Sequence, residues 1–111
     1  MTTFRFLVQG SSTQPYEVIF YSSSNSMTAT CTCNAGLNGQ SCKHRLNILN
    51  NDMTGIISGN EKDIGNVLIA FRNTPLEFKL KQLEGEEREI ENLKKKIALT
   101  KKQIANIFLG K

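Results

Sequence analysis

All three cysteines of this chain and its only histidine fall within fourteen residues, as Cys31-x-Cys33, eight intervening residues, then Cys42-x-His44. Thiolate sulfur and imidazole nitrogen are a common donor set for a tetrahedral structural ion, zinc above all. The spacing suits that geometry. Cysteines two apart on a strand point to the same face, so one ion reaches both. The segment from Asn34 to Ser41 carries Gly36 and Gly39 and lets the chain turn back. Cys42 and His44 then arrive where a helix begins, before regular helical geometry turns positions i and i+2 apart. Other readings account for less. A disulfide framework leaves one of three thiols unpaired. A nucleophilic pair of Cys42 and His44 leaves Cys31 and Cys33 without a purpose. A lone cysteine is more often a small buried hydrophobe, but that does not explain four donors gathered together. We therefore expect one zinc ion per chain, held by Cys31, Cys33, Cys42 and His44, with no position left open for a reacting water.

Clustered thiols favour metal over disulfide where the surroundings are reducing. The opening Met1-Thr2-Thr3-Phe4-Arg5 is not a charged segment followed by an apolar run. No apolar stretch approaches the roughly 18 residues a bilayer span needs. The expectation is an intracellular, cytoplasmic protein, nucleoid association included, without membrane contact. With 111 residues, 39% of them apolar and no Trp, the chain suits one thin-cored domain plus an appended element, and an ion would reinforce such a core.

Three strand signals precede the cluster. Phe4-Arg5-Phe6-Leu7-Val8 stops at Gly10-Ser11-Ser12, and Tyr16 to Tyr21 is entered through Pro15. After a polar turn over Ser22 to Ser26, Met27 to Cys33 alternates, with Met27, Ala29, Cys31 and Cys33 on one face and threonines on the other. From Cys42 the pattern becomes helical, with Leu46, Leu49 and Met53 at spacings of three and four, ending at Asn50-Asn51-Asp52 and Gly55. A second helix is expected after Asn60 as N-cap, with Ile64, Val67, Leu68 and Phe71 as its apolar face. Thr74-Pro75-Leu76-Glu77 is a strong start signal, with Thr at N-cap, Pro at the first helical position and Glu at N3. From there a helix over 75–109 is interrupted only by Gly85, a candidate kink. Leu76, Leu83, Ile90, Ile97 and Ile104 recur every seven residues, and Leu93 widens the stripe. That is a coiled-coil pattern. The fold expected is α+β. A zinc-stapled domain of sheet and helix occupies residues 1–54, and a helical region spans residues 60–109.

Cys31-x-Cys33-x8-Cys42-x-His44, preceded by a strand with Tyr16 and Val18 and followed by Lys43-His44-Arg45-Leu46 at the start of an apolar helix, resembles the SWIM zinc finger. The resemblance covers roughly residues 16 to 50. Asn34 stands where that family commonly has a proline after the second cysteine. The resemblance implies a β-β-α finger, zinc binding, and association with DNA or with protein partners. In none of the family's settings is the finger itself the catalyst.

Formal net charge is +4, and three thiolates holding a divalent ion bring it to about +3. Arg5, Lys43 and Arg45 are candidate phosphate contacts near the finger. On the long helix, Glu84, Glu86, Glu87, Glu89 and Glu91 precede Lys94, Lys95, Lys96, Lys101 and Lys102. The lysines are further candidates for nucleic acid. They also complement the negative end of the helix dipole, as solvated residues do. The same asymmetry suits a homodimer. Two antiparallel copies crossing near Asn92 set acidic halves against basic halves, with Leu76, Leu83, Ile90, Leu93, Ile97 and Ile104 as the candidate seam. Two functions follow from these features. One is a nucleic-acid-associated zinc module that dimerises. The other is a protein-interaction adaptor or inhibitor that captures a partner through the helix. No paired carboxylates flank the histidine and no phosphate-binding glycine loop is present, so no enzymatic activity is expected.

Overall fold

The computed structural model describes residues 1–111. The chain is α+β. Strands β1 (Thr2–Val8), β2 (Tyr16–Ser23) and β3 (Ser26–Cys31) form an antiparallel sheet in the order β1-β2-β3. Four helices follow: α1 (Asn34–Leu37), α2 (Lys43–Leu49), α3 (Asp63–Phe71) and α4 (Pro75–Phe108). Contacts divide the chain into two compact units, Met1–Glu77 and Phe78–Lys111.

The sheet has one apolar face because its alternating residues come into line. Phe6 pairs with Val18 and Phe4 with Phe20, while Val18 pairs with Cys31 and Phe20 with Ala29. Phe6, Val18 and Phe20 are completely buried, and the Phe6 and Phe20 rings meet edge to face at 6.2 Å. Packing over this face are Ile48 and Leu49 of α2 with Ile64, Val67 and Phe71 of α3, all buried. The first unit therefore includes α3, which the sequence reading assigned to the helical region of residues 60–109. Its stripe is apolar because it closes the same core. The free edge of β1 is capped by the segment before α3, where Gln9 N–H donates to the Gly55 carbonyl at 2.7 Å and Ile57 N–H to the Leu7 carbonyl at 2.8 Å.

Local differences from the sequence reading have local causes. β3 ends at Cys31, not Cys33, because Thr32 turns back to β2. Its N–H donates to the Glu17 carbonyl at 3.1 Å, and its Oγ1 accepts from Glu17 N–H at 2.9 Å. The N-cap of α3 is Lys62, not Asn60. The Asn60 side chain instead donates to the Arg5 carbonyl at 2.8 Å and to Asp63 at 3.2 Å, pinning the helix start to β1.

Helix α4, whose first turn belongs to the first unit, runs unbroken through Gly85. Its start follows the sequence signal with one change. Thr74 Oγ1 accepts from Glu77 N–H at 3.4 Å, but the Glu77 carboxylate reaches back to Asn73 N–H at 3.0 Å, one residue before the cap. No helix of the chain is long and apolar enough to cross a membrane.

Candidate metal centre

The four donors converge from three places in the first unit. Cys31 is the last residue of β3. Cys33 is the N-cap of α1, with φ −67° and ψ 164°. Cys42 is the N-cap of α2, and His44 lies in its first turn. All four donor atoms lie within 4.8 Å of one another, and Cys31 Sγ is 3.8 Å from His44 Nδ1. With bonds of about 2.3 Å to sulfur and 2.0–2.1 Å to nitrogen, a tetrahedral ion sets its ligands about 3.6–3.8 Å apart. The donors thus stand within about 1 Å of a closed tetrahedron. The three cysteines are buried and unbridged. The His44 nitrogen that faces the sulfurs is Nδ1; Nε2 is buried on the Gly10 side of the ring, without a hydrogen-bond partner. Three thiols and an imidazole nitrogen this close are a donor set that fits a tetrahedral ion.

Each sulfur environment follows from the local fold. Gly36 N–H donates to Cys33 Sγ at 3.3 Å, as an N-cap side chain accepts from its own helix. Gly36 is required there, since a Cβ would run into the Cys31 carbonyl. Arg45 Nε donates to Cys42 Sγ at 3.2 Å and Nη1 to the Ala29 carbonyl at 3.2 Å, while Nη2 bonds the Gln40 carbonyl. One guanidinium therefore ties the third ligand to β3 and to the loop before α2. On the far side, the Tyr16 ring packs on His44 with centroids 4.7 Å apart. Gly10 lies over both rings. A Cβ there would approach Tyr16 Cε2 at 2.5 Å and His44 Nε2 at 3.3 Å.

The ion-free electrostatics prepare the site unequally. Burial pushes the Cys31 thiol up to about 12; a hydrogen bond from the Cys33 backbone opposes this, and the Cys33 and Cys42 thiols reinforce it. Burial also opposes ionisation of Cys42, but hydrogen bonds from Arg45, then from Cys33 and Cys31, outweigh it and bring that thiol below its ordinary value. Burial, with the charge of Lys43, lowers His44 and keeps its imidazole neutral with a free lone pair. What the chain holds is a Cys3His cluster able to bind a metal ion.

The other candidate residues are dispersed. Arg5 is paired with Glu17 across β1 and β2 at 2.5 Å. Arg45 is committed to the Cys42 sulfur and two carbonyls, so a phosphate contact from either arginine would have to break those bonds. Lys43 is exposed, as are Lys94, Lys95, Lys96, Lys101 and Lys102 on α4. Lys81 and Arg88 were not among the candidates. With Lys95 and Lys102 they recur every seven residues on the α4 face opposite Ile90 and Ile97, all four exposed. Counting basic residues by the heptad used for the apolar ones would have found them.

No known protein family, curated protein or solved structure matches the chain in any of the three comparisons.

Proposed function

We propose that this chain is a zinc-binding module of SWIM type that associates with nucleic acid, DNA first, and with a second copy of itself through α4, without catalysis of its own. The observation that carries the reading is the convergence of Cys31, Cys33, Cys42 and His44 within 4.8 Å, in CxC…CxH order and from a strand end and a helix start. Zinc is the preferred ion because three thiolates and one imidazole are a soft tetrahedral set. Four protein donors close that tetrahedron, which supports a structural role over a catalytic one. The nucleic-acid part rests on Lys43 and on the exposed basic residues of α4, not on Arg5 or Arg45.

Metal analysis of the purified full chain is the first test: one zinc per chain is expected, and no stoichiometric metal would end the reading. For nucleic acid, the ion-loaded chain is titrated with duplex DNA at two salt concentrations. Neutralised phosphates release counterions, so affinity should fall steeply with salt. No binding at low salt, or binding indifferent to salt, removes that half of the proposal. A second reading, an adaptor or inhibitor that captures another protein, draws on the uncovered apolar stripe of α4. Partner capture that is lost with Ile97→Lys and Ile104→Lys while DNA affinity persists would favour it.

A further inference from the structure

Along α4, Leu83, Ile90, Ile97 and Ile104 occupy one heptad position and Glu86, Leu93, Thr100 and Ile107 the other seam position. The apolar members of this seam are uncovered: Ile90, Leu93 and Ile97 are 53, 56 and 54% exposed. Charged positions flank it. Glu87, Lys94 and Lys101 lie on one side, Glu89 and Lys96 on the other. Inside the chain these charges are almost unpaired. The one ion pair on α4 joins Lys94 to Glu91 at 3.2 Å, with both side chains about two-thirds exposed. Such a pair contributes little and is readily exchanged.

Resting on the self-association proposed above, we infer that α4 pairs with a second copy of itself as an antiparallel coiled coil whose two-fold axis passes between Glu91 and Asn92. In that register Ile90 faces Leu93 of the other chain at the centre, followed outward by Ile97 against Glu86 and Leu83 against Thr100. Flanking positions in an antiparallel pair meet their own kind across the axis, and their charges set orientation. Here Glu87 meets Lys94 and Glu89 meets Lys96, each twice by symmetry, with no like pair among them. Sliding one chain by a heptad toward the basic end sets Lys94 against Lys94 and Lys96 against Lys96. Sliding it the other way does the same for Glu87 and Glu89. A parallel pair gains Glu89 against Lys94, but it sets Lys96 against Lys101 and places Glu86 against its own copy inside the seam. The antiparallel register alone joins the apolar centre to four opposite-charge contacts with no like pair, Lys101 falling opposite Leu80. It also leaves Lys81, Arg88, Lys95 and Lys102 on the outer face, away from the partner.

The full, ion-loaded chain tests this. Native mass gives the assembly, and a photoreactive p-benzoylphenylalanine in place of Thr100 gives the register. After tryptic digestion, the expected link joins residue 100 to the other chain's Gln82–Arg88 peptide. The reciprocal label in place of Leu83 should link to Ile97–Lys101. A Thr100 label that links to Ile97–Lys101 instead means a parallel pair; this register is then overturned while self-association stands. A monomer at tens of micromolar overturns both, and metal analysis is unaffected by either result. Lys94→Glu with Lys96→Glu should raise the dimer dissociation constant at least about tenfold, and adding Glu87→Lys and Glu89→Lys to the same chain should restore it. Lys95→Glu with Lys102→Glu should leave it unchanged. A dimer indifferent to the first pair counts against the register.

Discussion

Arg45 lies three residues beyond Cys42, so the first turn of α2 brings its guanidinium back onto the ligand sulfur at 3.2 Å. Beside three thiolates and a divalent ion it would balance the remaining negative charge, and its hydrogen bond orients the Cys42 sulfur. Outer-sphere partners of this kind typically contribute 10–100-fold to metal affinity. Arg45→Met should therefore weaken zinc by about that factor while stoichiometry stays at one, as read by competition with a chromophoric chelator. That these four side chains gather could be read from sequence because they are the chain's only thiols and its only imidazole, and they lie within fourteen residues. The role of Arg45 could not, because a basic residue beside a ligand serves a phosphate or a sulfur equally well until the helix direction is known. Protonation belongs to this scale too. The ion-free Cys31 keeps its proton up to about 12, so the incoming ion must displace it. Metal uptake releases protons, and affinity accordingly rises with pH and falls as pH drops, by up to about tenfold per pH unit for each proton released. Chelator competition at pH 6, 7 and 8 should show zinc held progressively more tightly.

Among the elements, the three strands and the long helix were legible because their periods are long and regular, whereas α1 was not. Asn34–Leu37 is a single turn, too short for any hydrophobic period, and exists because Cys33 caps it. Gly85 is the opposite case, a residue whose type suggests a break where the helix continues. Nothing but the tip of Arg88, at 3.8 Å, stands near the place a Cβ would occupy. The glycine therefore contributes only its backbone freedom, which costs a helix about 1 kcal/mol relative to Ala. Gly85→Ala should stabilise α4 by about that amount, visible as a higher melting temperature of the helical signal at 222 nm. A lower one would mean that a side chain at position 85 meets something in the assembled state.

For the whole molecule, the boundary between the two units was the least legible feature, since an amphipathic stripe such as that of α3 does not say which surface it covers. The core of the first unit is small: Phe6, Val18, Phe20, Ile48, Ile64 and Val67 are its fully enclosed apolar side chains. Three of its elements also end at metal donors. β3 finishes on Cys31, and α1 and α2 each start from a cysteine N-cap. Structural zinc supplies on the order of 10 kcal/mol or more to domains of this kind, comparable with the whole stability of a small fold. Removing it should therefore unfold β3, α1 and α2 together, and the sheet and α3 with them, because β3 and α2 form part of the surface that α3 covers. The second unit contributes no donor. Of the 34 residues of α4, those beyond Glu77 lie outside the unit that carries the four donors, and their helix depends on its own periodic seam. A strong chelator, or Cys33→Ser, should abolish the strand signal while most of the helical ellipticity persists. Thermal melts should then separate into a metal-dependent step and a metal-independent one whose midpoint rises with protein concentration, as mass action requires of a dimer. A spectrum unchanged by chelation would mean that the four donors merely pack together, and the zinc-centred reading would fall with it.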